Sequence, residues 1–396
     1  MRLLISGGAS GGHVSAALAV AEAFRARHPE GHVLMVGRRG GVEEQMVPGS
    51  GFALETIDIS GLDRDVPTSN VRLPHTLPSA FGHGLRILDR FCPDVVLGVG
   101  AHAMVPCLWA ALRRGVPYVL QVSEACGLAN HMLRPAAAAA CVSFQDDVAA
   151  FCTPRTVFTS YPIRRGFARR EPAAPARRLL IMGGSLGAMR LNRVVWDALD
   201  DLLGRFEEVV HLTGGQGAAD GATHARPRYR QISTLTDVAG LMTEVDLVVC
   251  RAGRGTCAEL TAVGLPAVLV PGAFGGGHQE HNAAHLVRAG AAIRIDNDEL
   301  TPERLLHELR DLSPERLRAM ATASAELGAP SAADHIVDVV IETAFTAAPM
   351  PHNRLIAALT LVRGIQGHRR RHVTPPRRSS TVVAGDGRVQ QLLREV

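Results

Sequence analysis

The sequence predicts an α/β protein made of two doubly wound parallel sheets. Short apolar runs typical of buried strands alternate with helical segments, which is the pattern of consecutive β-α-β units. A Pro- and Arg-rich stretch without periodicity, 161–177, interrupts this alternation, and the pattern then starts again. Each half opens with a strand, a Gly-rich turn and a helix. We therefore expect two domains of the same architecture in the 396 residues.

The first half, residues 1–160, is predicted to be an N-terminal domain that precedes an interdomain linker at 161–177. Leu3–Ser6 is its first strand, and a Gly-rich turn leads from it into a helix at about 13–27. The further strands of this half are expected, with helices between them, at Val33–Val36, Val95–Gly98, Tyr118–Val122 and Cys141–Phe144.

The second half, residues 178–345, is predicted to be a C-terminal domain. Its first strand, Leu179–Met182, runs straight into glycines and a helix. We expect the last helices, at about 301–345, to close this half, with one of them a candidate to cross back to the first. The remaining strands are expected at Val209–Leu212, Leu247–Cys250 and Ala267–Val270.

Residues 346–396 differ from the rest of the chain, because Pro, Arg, Gly and Ser predominate after His368. From Thr343 onward nine Arg stand against two acidic residues, which is a charge of +7 within an overall net charge of +4. The body of the chain is therefore mildly acidic. We expect a basic, partly disordered tail whose charge says little about an active site.

The composition excludes several kinds of chemistry. All 42 basic residues are Arg, so that lysine Schiff bases, PLP anchors and P-loop lysines are excluded. Aromatic residues make up 4%, which argues against a stacking surface for nucleic acid. The 7 cysteines are scattered and form no C-x-x-C pair, which favours reduced thiols over a zinc site or disulfides. The apolar run at the N-terminus is too short for a signal peptide, and no apolar stretch is long enough to span a membrane, so we expect a cytoplasmic protein.

Four Gly-rich segments follow predicted strands and open helices, a position in which backbone N–H groups point at an anion. They are Gly7–His13, Gly183–Ala188, Arg251–Leu260 and Gly275–Ala283. The first segment is similar to a dinucleotide-binding turn, although its spacing is not G-x-G-x-x-G. The second strand leads to Arg38 and Arg39 rather than to an acidic residue. This leaves an NADP-dependent oxidoreductase open as an alternative.

The third and fourth segments carry side chains suited to a nucleotide sugar. The glycines and Thr256 place a helix N-terminus against a phosphate, and Glu259 lies three to four residues into that helix, within reach of a ribose diol. Gln279 and Asn282 suit the hydroxyl groups of a sugar better than they suit charges. We see no Asp-x-Asp at a strand end that would hold a metal on a diphosphate.

Taken together and in this order, the segments resemble the MurG family, which transfers N-acetylglucosamine from UDP-GlcNAc to an undecaprenyl-linked muramyl-pentapeptide. The resemblance covers about residues 1–340. It implies a GT-B fold, in which two Rossmann-like domains face a cleft, with the donor on the C-terminal half and the acceptor on the N-terminal half. It implies no metal and no cofactor. The best matches are GGASGGHV at 7–14, GGSLGA at 183–188, RAGRGTCAEL at 251–260, GLPAVLVP at 264–271 and HQEHNA at 278–283.

The resemblance implies a set of donor-binding residues. Glu259 matches the carboxylate that holds the ribose, and Gln279 and Asn282 match side chains that contact sugar hydroxyls. Arg164 matches an arginine of the cleft, and Leu235 lies where family backbone groups pair with uracil. The residues implied around the diphosphate are Gly184, Ser185, Gly253, Gly255 and Thr256.

The resemblance also implies a catalytic and an acceptor-binding group in the first half. His13 is the candidate general base for the acceptor hydroxyl, since an imidazole can take that proton near neutral pH. Capping its own helix and binding an acceptor phosphate are the alternatives for His13. Arg254 replaces a small residue usual in the family, and either adds a cation beside the diphosphate or points to solvent. The implied acceptor-binding residues are Gly11, Gly12, Gly100, His102 and Asn130.

The acceptor half departs from the family pattern. Gly100-Ala101-His102 stands where the family has Gly-Gly-Tyr, and 120–123 reads Leu-Gln-Val-Ser where the family has His-Glu-Gln-Asn. We expect an inverting transferase that moves a hexosamine, above all N-acetylglucosamine, to a lipid-linked acceptor. Three alternatives stay open: a specialised transferase of natural-product biosynthesis with another acceptor, a UDP-sugar 2-epimerase, and a non-catalytic UDP-sugar binder.

A lipid-linked acceptor implies a peripheral position at the inner face of the cytoplasmic membrane. Apolar residues interleaved with arginines between 72 and 90 fit a helix that lies in the membrane interface, although the same spacing fits a core helix. We expect no nucleic-acid partner. The apolar residues are Leu73, Leu77, Phe81, Leu85 and Leu88, and the arginines are Arg72, Arg86 and Arg90.

Overall fold

The structure is a computed structural model that describes residues 1–346. Within this range it leaves out residues 9, 61–72, 124–126, 152, 185–186, 216–225, 234, 236 and 273–276. The side chains of 73–76 and 150 are also left out. The predictions made for Ser185, for Gly275 and for the basic tail beyond 346 therefore lie outside the described residues.

The first half folds into a sheet of seven strands, all of them parallel, in the order β3-β2-β1-β4-β5-β6-β7. The direction of winding reverses between β1 and β4, which opens a crevice outside the carboxyl ends of these two strands. The strands are β1 (Arg2–Ser6), β2 (His32–Arg38), β3 (Ala53–Ile57), β4 (Val95–Gly98), β5 (Tyr118–Val122), β6 (Ala139–Val142) and β7 (Thr156–Phe158).

Helices cover both faces of this sheet and bury its apolar side chains. The hydroxyl of Ser10 caps the first helix by accepting a hydrogen bond from the backbone N–H of His13 at 3.4 Å. Pro106 lies in the first turn of the fourth helix, where its missing N–H costs nothing. The helices are α1 (Gly11–Arg27), α2 (Glu43–Met46), α3 (Leu73–Phe91), α4 (Val105–Arg114), α5 (Leu128–Leu133) and α6 (Asp147–Phe151), with 3-10 turns at Pro48–Ser50, His102–Met104 and Arg134–Ala136.

The second half repeats this architecture with six parallel strands in the order β10-β9-β8-β11-β12-β13. Here the winding reverses between β8 and β11. The strands are β8 (Arg178–Met182), β9 (Glu208–Leu212), β10 (Tyr229–Ile232), β11 (Leu247–Cys250), β12 (Ala267–Leu269) and β13 (Ala292–Arg294). The helices are α7 (Met189–Asp197), α8 (Leu199–Arg205), α9 (Val238–Met242), α10 (Arg254–Val263), α11 (His278–Arg288), α12 (Pro302–Arg310), α13 (Pro314–Glu326) and α14 (Ala332–Thr346), with a 3-10 turn at Asn297–Glu299.

The two doubly wound sheets confirm the predicted fold class. The nine strands expected from apolar runs are all present, most of them within one residue of the predicted limits at each end. The fifth is displaced, because β6 ends at Val142 and Phe144 lies beyond it. Four strands were missed, and they are β3, β7, β10 and β13. All are peripheral in their sheets and short or half-buried, so their sequences lack the continuous apolar run of a central strand.

The last helix crosses back to the first domain. Ile336, Val337 and Val340 on α14 are fully buried in the same core as α1 and the first sheet. Arg27 Nη2 of α1 donates to Asp338 at 2.6 Å on the same interface. The range 178–345, which the sequence analysis assigned to the second half, thus ends in a helix that packs on the first.

The linker 161–177 contains neither a helix nor a strand, and buried contacts hold its second part to the second domain. The carboxylate of Asp246 is the centre of these contacts. It accepts hydrogen bonds from Arg170 Nη2 at 2.7 Å and from the backbone N–H of Ala173 at 2.9 Å. It also accepts from the backbone N–H groups of Arg177 and Arg178, each at 3.0 Å. A buried charge that receives this many donors is compensated, so the link is well defined.

The apolar side chains of α3 that the structure describes pack into the first domain and do not form a membrane-facing stripe. Arg72 and the side chain of Leu73, which belonged to the same prediction, lie outside the described residues. Leu77 and Leu85 pack against the core of the first domain, and Leu88, 3% exposed, belongs to that core. The ring of Phe81 packs on Trp109 of α4 with the centroids 4.7 Å apart. The interfacial interpretation of Leu77, Leu85 and Leu88 is therefore wrong. Core and interfacial helices share this spacing, and the packing against α4 distinguishes them.

Candidate active site

The N-termini of α1 and α10 meet at the junction of the two domains. Tyr161, at the start of the linker, is 3% exposed and donates its hydroxyl hydrogen to the carbonyl oxygen of Gly12 at 2.7 Å. Its hydroxyl also lies 3.5 Å from the position of a methyl group built on Gly255. Since each helix follows a strand at the reversal point of its sheet, both crevices open onto one shared region. This region is the candidate active site.

His13 lies in the first turn of α1, inside this region. Its Nδ1 is 2.7 Å from the hydroxyl oxygen of Ser10. When Nδ1–H donates to that oxygen, the lone pair is on Nε2. The ring rests on Gly100, which follows β4 with a φ of +110°. A methyl group at Gly100 would lie 2.8 Å from His13 Nε2, so that the glycine makes room for the imidazole.

The surroundings of His13 favour the neutral imidazole. Burial lowers the pKa of His13, the nearby carboxylate of Glu43 raises it, and His278 and His102 lower it. An uncharged imidazole with an available Nε2 can accept a proton near neutral pH. The predicted cap by His13 is not observed, because the backbone of His13 is the donor and Ser10 is the cap.

Glu43, which sequence reasoning missed, is buried behind the first glycine loop. It begins α2 and is 2% exposed. Methyl groups built on Gly8 and on Gly41 would lie 1.6 Å and 2.0 Å from its carboxylate oxygens, and one on Gly37 would lie 2.7 Å from its Cγ. Its Oε1 accepts a hydrogen bond from the backbone N–H of Arg38 at 3.3 Å. The glycines around the end of β2 were the available signal, because they leave space for a side chain.

The acceptor residues implied by the resemblance lie on several elements of the first domain. Gly11 and Gly12 form the first turn of α1, and Asn130 lies on α5 with 7% of its surface exposed. His102 opens the 3-10 turn after β4. Its Nε2 is buried and has no hydrogen-bond partner within the described part of the chain. Burial and Arg38 lower the pKa of His102, and Glu43 raises it, so that His102 belongs to the same electrostatic cluster as His13.

The glycine loop after β8 is open where the loop after β1 is filled. A methyl group on Gly184, which has a φ of +89°, would meet no atom of the described residues within 4 Å. Two other glycines of this loop make room for the backbone instead. A methyl group on Gly187 would lie 2.2 Å from the carbonyl oxygen of Thr213, and one on Gly183 would lie 2.5 Å from the backbone N of Ala188. The loop therefore offers backbone groups and space to a ligand.

α10 contributes a second helix N-terminus and a carboxylate. Gly253 is its N-cap residue, and Thr256 lies in the first turn, 3.8 Å from a methyl group built on Gly253. A helix N-terminus without an acidic residue in its first turn favours an anionic ligand. Glu259 lies on the same helix, and burial raises its pKa to about 7. A carboxyl group with such a pKa changes its charge within the physiological range.

Gln279 and Asn282 on α11 are deeply buried and support the backbone of the site. Gln279 is 6% exposed and its Oε1 accepts from the backbone N–H of Gly272 at 2.8 Å, which leaves the Nε2 amide group as the donor it can offer. Asn282 is 1% exposed and its Nδ2 donates to the carbonyl oxygen of Ala252 at 3.0 Å. Within the described residues, Asn282 Oδ1 has no partner.

The comparisons with known proteins agree with this arrangement. The family model "Glycosyltransferase family 28 N-terminal domain" matches residues 3–140, and "Glycosyltransferase family 28 C-terminal domain" matches residues 178–336. A protein from Anaeromyxobacter dehalogenans is 39% identical over 357 residues, covering 86% of this chain and 93% of that protein. It is named UDP-N-acetylglucosamine--N-acetylmuramyl-(pentapeptide) pyrophosphoryl-undecaprenol N-acetylglucosamine transferase.

Two further similarities extend the comparison. A protein of the same name from Desulforudis audaxviator is 36% identical over 368 residues, covering 86% of this chain and 98% of that protein. The crystal structure of MurG from Acinetobacter baumannii superimposes with a TM-score of 0.67 at 25% identity, covering 86% of this chain and 99% of that one. The chain belongs to the MurG family. It is a glycosyltransferase with the GT-B fold, as predicted.

At Arg254, where the MurG family usually has a small residue, the side chain takes neither of the two expected directions. Its guanidinium group lies over the ring of Phe144, 3.7 Å from the centroid. Its Nη2 donates to the carbonyl oxygen of Ser143 at 2.5 Å. His281 and His285 of α11 pack edge-on against the same ring, with centroids 4.7 Å and 5.5 Å away. Arg254 thus connects α10 of the second domain to the loop after β6 of the first.

Two other MurG-like positions also have structural partners. Arg164 forms a salt bridge across the junction to Glu22 of α1, with its Nε and Nη2 at 3.0 Å and 2.7 Å from the same carboxylate oxygen. Leu235 packs against the core of the second domain. The described part of the chain contains no group of three or more His, Cys, Asp or Glu side chains that could hold a metal. Among the same residues, no helix is long and apolar enough to span a membrane.

Proposed function

We propose that this protein transfers N-acetylglucosamine from UDP-GlcNAc to a lipid-linked muramyl-pentapeptide acceptor, with inversion at the anomeric carbon. The relatives from Anaeromyxobacter dehalogenans and Desulforudis audaxviator carry this activity in their names. The observation that carries the proposal is the pairing of two different glycine loops at one junction. One loop holds a histidine poised as a base, and the other presents open backbone beside a helix N-terminus.

The second domain is suited to the donor. The open loop at Gly184 and the N-terminus of α10 offer N–H groups and positive helix dipoles to a diphosphate, whose charge grows as UDP leaves. In this proposal, Glu259 accepts hydrogen bonds from the two ribose hydroxyls. The Nε2 amide of Gln279 offers a donor to a sugar hydroxyl, and Asn282 supports the backbone beside it.

The first domain is suited to the acceptor. The acceptor hydroxyl oxygen attacks the anomeric carbon from the face opposite to the diphosphate, and the bond to the UDP oxygen breaks. His13 Nε2 takes the hydroxyl proton during this attack. Because the imidazole is neutral beforehand, it becomes an imidazolium only as the reaction proceeds. The lipid-linked acceptor further implies a peripheral position at the cytoplasmic face of the membrane, which vesicle flotation would test.

The decisive experiment measures UDP release from several UDP-sugars with a polyprenyl-diphosphate-linked muramyl-pentapeptide. We expect release with UDP-GlcNAc and a product heavier by one N-acetylhexosamine in the mass spectrum. Nuclear magnetic resonance of that product should show the β-anomer formed from the α-linked donor. No release with any donor in the presence of this acceptor would contradict the proposal.

A specialised acceptor is the second candidate, and the first domain provides the observation that favours it. Gln121, in the run that replaces the family's His-Glu-Gln-Asn, is fully buried. Its Nε2 donates to Ser143 Oγ at 3.5 Å, and its Oε1 accepts from Ser123 Oγ at 3.3 Å. Ala101 keeps a φ of +59°, a conformation that favours glycine. Release of UDP with other polyprenyl phosphates, and not with the muramyl-pentapeptide lipid, would identify this alternative.

A further inference from the structure

The carboxylate of Glu43 is built into the first glycine loop from behind. Its two oxygens lie where methyl groups of Gly8 and Gly41 would be, 1.6 Å and 2.0 Å from the ideal positions. The backbone N–H of Arg38 donates to Oε1 at 3.3 Å, and the side chain is 2% exposed. A buried carboxylate costs several kcal/mol unless its surroundings compensate it. The formation of α2 does not by itself account for a carboxylate at this buried position.

Two imidazoles lie within electrostatic range of this carboxylate. His13 of α1 and His102 of the turn after β4 both interact electrostatically with Glu43. The other groups that act on His13 are His278 from the second domain and the Ser10 hydroxyl at Nδ1, and Arg38 acts on His102. Within the described residues, Glu43 is the anion whose charge raises the pKa of both imidazoles.

We propose that Glu43 is a positioning residue for proton transfer, which holds the first glycine loop in place and supplies the negative charge that stabilises protonated His13. The inference rests on the proposed function only through the role of His13 as the base. During the attack the acceptor O–H bond breaks, its proton goes to His13 Nε2, and Glu43 remains a carboxylate throughout. A lone pair of the acceptor oxygen forms the new bond to the anomeric carbon while the bond from that carbon to the UDP oxygen breaks and UDP leaves with its electrons. The electrons of the O–H bond stay on the acceptor oxygen.

The physical reason is the balance of effects around His13. Burial, His102 and His278 all disfavour a positive charge on the imidazole, and Glu43 opposes them. Without the carboxylate, His13 would be a weaker base in the same geometry, and the imidazolium formed in the transition state would be less stable. A carboxylate behind a histidine performs this electrostatic task without becoming protonated.

The test compares the pKa of His13 between the unmodified protein and Glu43→Gln, measured by nuclear magnetic resonance. The substitution keeps the size of the side chain and removes its charge. In protein labelled with ¹³C at the histidine ring, the His13 resonance is assigned by its loss in His13→Gln. We expect the pKa of His13 to fall by about one unit in Glu43→Gln. His307, which is exposed on α12, serves as the internal reference. An unchanged His13 pKa overturns the proposal.

Kinetics separate an electrostatic role from a merely structural one. We expect the kcat of Glu43→Gln to fall about tenfold with an unchanged KM for UDP-GlcNAc. The acid limb of its kcat–pH profile should move to lower pH by the same amount as the pKa of His13. A uniform loss of kcat at every pH, with no displacement of the limb, overturns the proposal. The matched control is Glu44→Gln, since Glu44 is the exposed neighbour on the same helix.

Two further measurements keep the outcomes distinct. If Glu43→Gln fails to fold, Glu43→Asp withdraws the charge by one methylene, and it must lower the His13 pKa in the same direction by a smaller amount. An unchanged pKa in a folded Glu43→Asp overturns the proposal. If His13→Ala retains full turnover, the base assignment in the proposed function fails. The titration shift in Glu43→Gln still measures the coupling between the two residues in that case.

Discussion

The two glycine loops occupy the same place in their domains and are used in opposite ways. Each follows the first strand of its sheet and leads to a helix at the reversal point. In the loop after β1, Gly8 leaves space for the side chain of Glu43, and Gly100, which follows β4, leaves space for that of His13. In the loop after β8, Gly183 and Gly187 leave space for the backbone, and no atom of the described residues fills the space at Gly184. A glycine-rich turn thus provides space, and the surrounding elements decide what occupies it.

This difference supports the proposed division of the reaction between the two domains. A loop that carries His13 and lies against the Glu43 carboxylate suits proton transfer and is poorly suited to hold a leaving diphosphate. An open loop of N–H groups beside a first helical turn without an acidic residue suits the diphosphate. Substitutions in each loop test this division.

The largest effect is expected at the filled loop. His13→Ala should lower kcat by about 10²- to 10⁴-fold, because the acceptor hydroxyl loses its general base. The measurement is UDP release at saturating donor and acceptor. His307→Ala, which removes an exposed histidine of α12, is the control. Turnover within a few-fold of the unmodified protein would remove His13 from the mechanism.

The open loop's neighbour Glu259 should affect the donor instead. Glu259→Ala should raise the KM for UDP-GlcNAc about 10- to 100-fold, the cost of losing hydrogen bonds to a charged group. Initial rates at varied donor concentration measure this effect. Glu207→Ala changes an exposed carboxylate of the same domain and should leave the KM unchanged. An unaltered KM in Glu259→Ala would refute the assignment of the donor ribose.

Adding one methyl group to each loop tests the packing directly. Gly8→Ala should lower the free energy of unfolding by about 1–3 kcal/mol more than Gly184→Ala does. Both positions have a positive φ, and the added methyl meets the Glu43 carboxylate only at Gly8. Urea denaturation of the two variants gives the comparison. Equal losses would mean that the carboxylate moves aside freely, and the distinction between the loops would lose its basis.

The raised pKa of Glu259 predicts how donor binding depends on pH. Burial raises this pKa to about 7, so the group is ionised at pH 8 and protonated at pH 6. Because the ribose hydroxyls bind to the carboxylate form, the Kd for UDP should increase about tenfold from pH 8 to pH 6. Calorimetric titration measures it. Glu259→Gln should bind weakly with a flat profile, and a persisting slope there would assign the titration to another group.

The smallest effect concerns the contact between the halves. Arg254→Ala should lower kcat about 2- to 5-fold, corresponding to the loss of a partly exposed cation–π contact, and leave the donor KM unchanged. Arg288→Ala is the matched control, since its guanidinium bonds to Ala284 within its own helix. A changed donor KM with an unchanged kcat would place Arg254 at the diphosphate after all.

Much of the fold was predictable because it is encoded locally. Central parallel strands are buried on both faces, so their sequences are continuous apolar runs. This is why β4, β5, β8 and β11 could be predicted from the sequence. Peripheral strands such as β3 and β10 lack such runs. The spacing of leucines on α3 fits both a core and an interfacial helix, and only packing against α4 distinguishes them. The packing of α14 on the first domain likewise depends on tertiary structure, because its apolar residues become buried against α1 and the first sheet.

The site divides in the same way. By itself, the sequence determined the two halves, their glycine-rich turns and the polar residues of the donor side, since turn glycines and capping positions act within a few residues of chain. Only the tertiary structure decided that Glu43 enters the first loop and that Arg254 reaches Phe144. Both are contacts between distant segments. Their existence depends on how whole sheets and helices pack, because a side chain's partner is set by the space that the folded chain leaves around it.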